Sequence, residues 1–433
     1  MKRNLKIKLS ILEGIKQKGF FYLLSANTLI QIVSFASQLF VAGILLPEDL
    51  GRIKIILTFM SVFSIIAGLG FGASTLKLCA EQRSESDKKS IVQSALFFTV
   101  LSTMSLYLLL LIVNYFGYFS NDALIQWLMP LGLFPLVTNS IFIVFVSYFQ
   151  AIKKIKLISL LTISNKVISI LVIILLSYWW GIKGYYIAYN ISFILILVVC
   201  FKSFDNEDNS RLFSMKHFTQ FGLHWRYAKS SMLANLLSVI AAYADIIIIN
   251  FFVSDMQGIG FYSFALTLTV TLSILPTTVQ QIAIPYFSAL THQKEQFVLA
   301  FKRYNKILFW AVLLTLLAAL LFGPIMVNKV FIGKYDSSMP FFVILAFGWS
   351  LRQLTQLQSG ALFSLGRFDF SVYISIISMT FNIIIYALAI HFYGLMGAAY
   401  ASIPCGIVML STSIYYFKRA RNEMMNYSES PKI

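Results

Sequence analysis

Three charged residues stand inside long apolar runs of this chain: Lys166, Asp245 and Arg352. A charge at the centre of a bilayer costs at least about 2.5 kcal/mol on insertion scales, so each needs a partner, water or a ligand. Arg presents a planar fork of N–H donors and Lys a compact ammonium, and these groups hold phosphate oxygens well. Lys166 shares a helical face with Ser159, Thr162 and Ser169, and Arg352 shares one with Thr355, Gln356 and Ser359. Two readings stay open at this level. Arg352 and Lys166 bind an anionic head group in a polar cavity, or one of them forms a structural ion pair with Asp245, which still leaves one cation over. Asp245 is alternatively the residue that carries a coupling ion, with an H+ or Na+ gradient as the driving force.

Uncharged polar residues recur on helical stripes that would line the same cavity. Asn27, Gln31 and Gln38 fall on one face of the first apolar run, Asn235 lies on the run that holds Asp245, and Thr267 and Thr271 mark a Thr-rich face of the next. Gln356 follows Arg352 by one turn. Amides in hydrocarbon need partners or water. Ser, Thr and Gly on such stripes serve equally well for close helix packing.

Other chemistries are poorly supported. His217, His224, His292 and His391 have no metal-ligand spacing, and Cys79, Cys200 and Cys405 form no CxxC motif and read as free thiols. The acidic residues Glu48, Asp49, Asp122, Asp255 and Asp336 are scattered among short connections without a paired-carboxylate arrangement. No metal, no cofactor and no enzymatic activity is expected.

The elements that must position these residues are membrane helices. The chain is 58% hydrophobic and only 12% charged, with a mean hydropathy of +0.79, far more apolar than a soluble domain. Runs long enough to cross about 30 Å of hydrocarbon fall at roughly 20–46, 53–76, 91–113, 123–149, 157–180 and 184–201, then 230–253, 259–287, 305–327, 338–361, 370–391 and 394–417. That predicts an all-α polytopic membrane protein of about twelve spans. Of its 34 Lys and Arg residues, 27 fall on alternate connections and the termini, so both termini are expected in the cytoplasm. The same distribution accounts for the net charge of +17 through anionic membrane lipids rather than nucleic acid.

The halves look duplicated. Gly181-Ile182-Lys183-Gly184 and Gly394-Leu395-Met396-Gly397 are 213 residues apart, and Ala151–Ile155 aligns with Ser364–Phe368 at the same offset. Pro47–Gly51 after the first span likewise resembles Asp255–Gly260 after the seventh. The expected organisation is a basic N-terminal segment (1–19), a first six-span lobe (20–204), a linker (205–229), a second lobe (230–417) and a tail (418–433). Each half has an even number of spans, so the halves enter the membrane in the same sense.

Leu46-Pro47-Glu48-Asp49-Leu50-Gly51, followed by an apolar helix ending Gly68-Leu69-Gly70-Phe71-Gly72-Ala73-Ser74, resembles bacterial polysaccharide transporters of the Wzx-type O-antigen flippase family. The motif covers about 60 residues and the duplicated plan the whole chain. The resemblance implies two six-helix lobes in a fold shared with multidrug extruders and lipid II flippases. It also implies an inner-membrane protein working by alternating access. The implied substrate is an undecaprenyl-diphosphate-linked oligosaccharide, such as the O-antigen unit of lipopolysaccharide, moved from the cytoplasmic to the periplasmic leaflet, and the implied partners are the polysaccharide polymerase machinery. The alternatives are a multidrug cation antiporter of the same fold and a polymerase or ligase acting on lipid-linked sugars.

Overall fold

The computed structural model describes residues 18–204, 220–291 and 293–426, and all their side chains except those of residues 18–30, Ile155 and Ser230. The expectations for the N-terminal basic segment, most of the linker, the end of the tail, His217, His292 and the Asn27 side chain lie outside the described residues.

Helices form wherever the apolar runs were found. They are α1 Lys18–Ile44, α2 Pro47–Ala67, α3 Phe71–Ala80, α4 Glu85–Tyr115, α5 Ala123–Leu133, α6 Pro135–Ala151 and α7 Ile155–Ser203. The second half contains α8 Phe221–Phe252, α9 Met256–Thr269, α10 Ile274–Ala289, α11 Lys294–Ile325, α12 Met339–Gln353, α13 Gln356–Ser364 and α14 Phe368–Asn426. Among the described residues, eight helical stretches are long and apolar enough to cross a membrane. Two of these, α7 and α14, are each divided by one glycine.

Those glycines are the repeat read from the sequence. Gly181 has φ 56° and ψ −139°, and Gly394 has φ 57° and ψ −139°. That conformation is open essentially to glycine alone, so it reverses the chain within a Gly-x-x-Gly motif. The second glycine of each motif is required for a different reason. A Cβ at Gly184 would overlap the carbonyl oxygen of Leu176, and one at Gly397 that of Ala389.

Proline breaks the fourth expected span, between α5 and α6, and asparagine repairs it. Pro130 and Pro135 have no N–H, so the carbonyls one turn earlier, Gln126 and Leu131, lose their helical donors. Asn114 Nδ2 donates to the Gln126 oxygen and Asn190 Nδ2 to the Leu131 oxygen, both at 2.8 Å.

Two compact units emerge. The first comprises the chain as far as Val41, then Phe63–Phe119 and Gln126–Met232. Its core gathers Phe71, Phe98, Phe145 and Phe149, and it includes the first turns of α8, where His224 and Ala228 are wholly buried. The sequence placed residues 221–229 in a polar linker. They are helical instead, because Phe221 packs edge-on against Phe71 and Phe98 while Lys229 and Arg226 stay outside the buried face. A run bounded by basic residues hides such a turn from a hydropathy reading.

The second unit comprises Ala42–Val62, Ser120–Ile125 and the chain from Leu233 onward. It therefore takes in the end of α1 and most of α2, and close backbone packing explains why. A Cβ on Gly260 would overlap the Pro47 carbonyl, and one on Gly51 would lie 2.8 Å from the Met256 oxygen. The two post-helix motifs that resemble each other in sequence thus pack together, leaving no room for side chains. Lys334 Nζ caps the end of α1 by donating to the Ala42 and Gly43 carbonyls at 2.9 and 2.8 Å. Arg52 joins Asp49 and Asp122 in the same unit at 3.2 and 3.1 Å.

The uniformly apolar spans present their surfaces outward, as expected of lipid-facing helices. The most apolar window of the 294–330 stretch is only 17% buried, against 61% for 256–289. Leu314, Leu317, Leu321 and Ile325 form its exposed stripe.

Candidate functional site

Asp245 lies seven residues before the end of α8, and Tyr262 lies the same distance beyond Asp255. Asp255 caps α9 by accepting from the Gly258 N–H at 3.0 Å, which turns the chain back on itself. The reversal sets the Tyr262 hydroxyl against Asp245, where it donates to Oδ2 at 2.9 Å, while the Ile246 N–H donates to Oδ1 at 2.8 Å. Asp245 is 6% exposed and Tyr262 fully buried.

Arg352 stands in the last turn of α12. The helix stops there: the Arg352 carbonyl accepts from the Thr355 N–H and hydroxyl at 3.1 and 2.7 Å, and α13 starts afresh at Gln356. A helix C-terminus carries partial negative charge, which offsets part of the cost of a cation in this position. Arg352 Nη2 donates to the Tyr386 hydroxyl of α14 at 3.0 Å. Among the described residues Arg352 makes no ion pair within 4.0 Å and no other side-chain hydrogen bond, and its side chain is only part-buried.

Asp245 and Arg352 nevertheless belong to one electrostatic group, with the Tyr262 and Tyr386 hydroxyls and the Cys405 thiol in their field. The carboxylate is occupied by two neutral donors and the guanidinium by one neutral acceptor. The structural ion pair weighed from the sequence is therefore not a direct contact. It is a pair of charges each anchored by its own tyrosine. Asn382, buried on α14, ties the same region together by donating to the Ala241 carbonyl at 2.8 Å.

The remaining sequence-derived residues divide. Gln356 opens α13, where its Nε2 donates to the Gln353 side chain and its backbone carbonyl accepts from Gln280 at 2.9 Å. Thr267 and Thr271 turn their hydroxyls onto their own helix, bonding the Ser263 and Leu268 carbonyls at 3.0 and 2.8 Å. They satisfy themselves rather than offering donors. Asn235 and Gln38 are exposed and Gln31 is part-buried. Lys166 lies in the other compact unit, part-buried on α7, with Ser159 and Ser169 buried on neighbouring turns and no ion pair among the described residues. Sequence reasoning missed Tyr262, Tyr386, Gln353 and Asn382. The available signal was that a buried tyrosine hydroxyl or amide needs a partner, and a lone charge nearby is an obvious one.

A duplicated bundle of apolar helices with charged residues set inside its spans defines a multi-pass membrane protein. The solved structures agree. The chain resembles the lipid II flippase MurJ in its inward closed conformation (TM-score 0.72, 17% identity, covering 93% of this chain and 89% of that one). It is also similar to an inward-facing multidrug resistance MATE family transporter of the MOP superfamily (TM-score 0.70, 16% identity, 92% and 96%). A MOP superfamily transporter from Pyrococcus furiosus matches with a TM-score of 0.66 at 15% identity, over 94% and 96% of the two chains. In sequence, an uncharacterized membrane protein of Methanocaldococcus jannaschii is 23% identical over 93% of this chain and 84% of its own. The polysaccharide biosynthesis protein family matches residues 17–291, more than half of the chain, and the chain belongs to that family.

Proposed function

We propose that the protein is a flippase that moves an undecaprenyl-diphosphate-linked oligosaccharide, an O-antigen or similar repeat unit, from the cytoplasmic to the periplasmic leaflet of a bacterial inner membrane. The single observation that carries this reading is Arg352. It is a guanidinium set at the end of a broken helix, anchored through one N–H to Tyr386 and part-exposed, with no carboxylate paired to it among the described residues. Such a group has donors left for a diphosphate, in the bidentate geometry phosphate oxygens favour. Membership of a polysaccharide biosynthesis family supports a sugar-bearing substrate, and the fold shared with a lipid II flippase supports translocation rather than catalysis. Lys166 is a second candidate for the head group, to be tested on its own. Asp245 is the candidate for ion coupling, and alternating access is the proposed cycle.

The rival antiporter reading asks for a carboxylate free to take a drug cation. Asp245 already accepts from Tyr262 and from the Ile246 N–H, which favours the anionic substrate. The deciding experiment deletes the gene and locates the lipid-linked oligosaccharide. Accumulation on the cytoplasmic face, reversed by the wild-type chain and not by Arg352→Ala at equal membrane level, supports the proposal. Accumulation of single units on the periplasmic face would point to a polymerase instead.

A further inference from the structure

The repeat extends to a pair of cavities at the basic ends of the two units, and the two are not alike. In the first unit a cavity of about 560 Å³ lies between the α3–α4 connection, the α6–α7 connection and the end of α7. In the second unit a cavity of about 940 Å³ lies between the α10–α11 connection, the α13–α14 connection and the end of α14. Both α6 and α13 end in the same hydrogen-bonded turn, 213 residues apart. Lys153 N–H reaches Gln150 and Lys154 N–H reaches Phe149, as Gly366 reaches Phe363 and Arg367 reaches Leu362, all at 2.9 to 3.0 Å.

That turn needs a left-handed residue. In the second unit it is Gly366, with φ +70°, whereas in the first it is Lys153, with φ +59°. A side chain in this conformation crowds the adjacent carbonyl oxygen and is strained where glycine is not. Lys153 spends that strain at the rim of a cavity that also receives Lys88, Lys89 and Lys154. Among the described residues none of these four ammoniums has an ion-pair partner within 4.0 Å. Of the two glutamates lining the cavity, Glu81 is already paired, to Arg83 at 2.8 Å and to Lys77 at 3.9 Å. The counterpart cavity has its arginine committed: Arg367 binds Asp369 at 2.9 Å and Glu423, and lies 3.8 Å above the Phe370 ring.

We propose that the first-unit cavity is a binding site for the phosphate head group of an anionic phospholipid of the leaflet that the basic connections face. Close to its rim, α7 exposes Leu195, Val198 and Val199 at helical spacing, a strip suited to an acyl chain. A phospholipid therefore fits better than a soluble anion. The second-unit cavity, lined by Lys294 and by an Arg367 already paired with Asp369 and Glu423, is expected to bind this ligand more weakly.

The test uses the purified full-length protein, delipidated and titrated with phosphatidylglycerol, phosphatidylcholine or inorganic phosphate while adducts are counted by native mass spectrometry. Phosphatidylglycerol is expected to bind at least tenfold more tightly than phosphatidylcholine. Replacing Lys88, Lys89, Lys153 and Lys154 together by Gln should remove that preference, while Arg367→Gln should keep it. Lys153→Gly gives an independent readout should the fourfold variant fail to fold: relief of the backbone raises the melting temperature, while loss of the ammonium weakens phosphatidylglycerol binding several-fold. Equal binding of the two lipids, unchanged binding in Lys153→Gly, or inorganic phosphate competing away the lipid at equal concentration would overturn the assignment.

Discussion

The hydroxyl of Tyr386 accepts a 3.0 Å hydrogen bond from Arg352 and is the side-chain anchor that aims this guanidinium. A hydrogen bond to a charged group contributes about 1.5–3 kcal/mol. Tyr386→Phe should therefore leave the protein inserted but slow transport roughly tenfold, because Arg352 loses its orientation and not its charge. Arg352→Lys keeps the charge without the fork and should fall between Tyr386→Phe and Arg352→Ala. Transport of the lipid-linked substrate into the outer leaflet of proteoliposomes gives the ranking. Equal rates for all three variants would remove Arg352 from the pathway.

Asn190 and Pro135 should be energetically coupled. Asn190→Leu strands the Leu131 carbonyl, whose own helical donor is missing because residue 135 is proline, and a buried unsatisfied acceptor costs about 1–3 kcal/mol. Pro135→Ala restores the N–H. The double variant Asn190→Leu with Pro135→Ala is thus expected to regain much of the lost thermal stability, a coupling readable as a double-mutant cycle. Strict additivity would show that the amide does not serve this carbonyl.

The sequence disclosed features that one residue type in one spacing can specify. The Gly-x-x-Gly reversals at Gly181 and Gly394 were legible because only glycine takes their backbone angles, and a matched spacing of 213 residues marks them as equivalent. Arg352 and Asp245 were legible because charge is conspicuous in an apolar run. The tyrosines between them were not, since Tyr262 and Tyr386 read as ordinary aromatics until the Asp255 cap and the break after Arg352 place them against charges. The Thr-rich face of the eighth span was legible as polar, but not that the hydroxyl protons of Thr267 and Thr271 go to carbonyls of their own helix. Backbone-to-backbone packing such as that of Gly51 and Gly260 depends on distances that periodicity does not encode.

Asp245→Asn separates the structural role of this carboxylate from a coupling role. The amide oxygen can still accept from Tyr262, so folding should survive with a loss of about 1 kcal/mol. Substrate should still cross in de-energised vesicles, whereas acceleration by an imposed H+ or Na+ gradient should disappear. A variant that still responds fully to the gradient would exclude Asp245 as the ion carrier.

His224 lies on the early turns of α8, ahead of the apolar stretch that begins at Ser231. Its Nδ1 is 2.8 Å from the Ser74 hydroxyl and its ring packs against Phe71. Burial pushes its pKa down from 6.5 to about 4, offset in part by the Ile91 backbone. The unfolded chain therefore binds a proton as the pH drops below about 6.5, while the folded chain resists until about 4. Stability is fully present above that window and declines as the pH falls through it, by up to about 3 kcal/mol. Melting temperatures of the wild type and of His224→Phe, measured in the same detergent between pH 7.5 and 4.5, isolate this contribution because carboxylate titrations are common to both. The stability of the wild type relative to the variant should be constant near pH 7.5 and fall steadily toward pH 4.5. A flat difference across that range would mean that His224 is not held neutral in the folded protein.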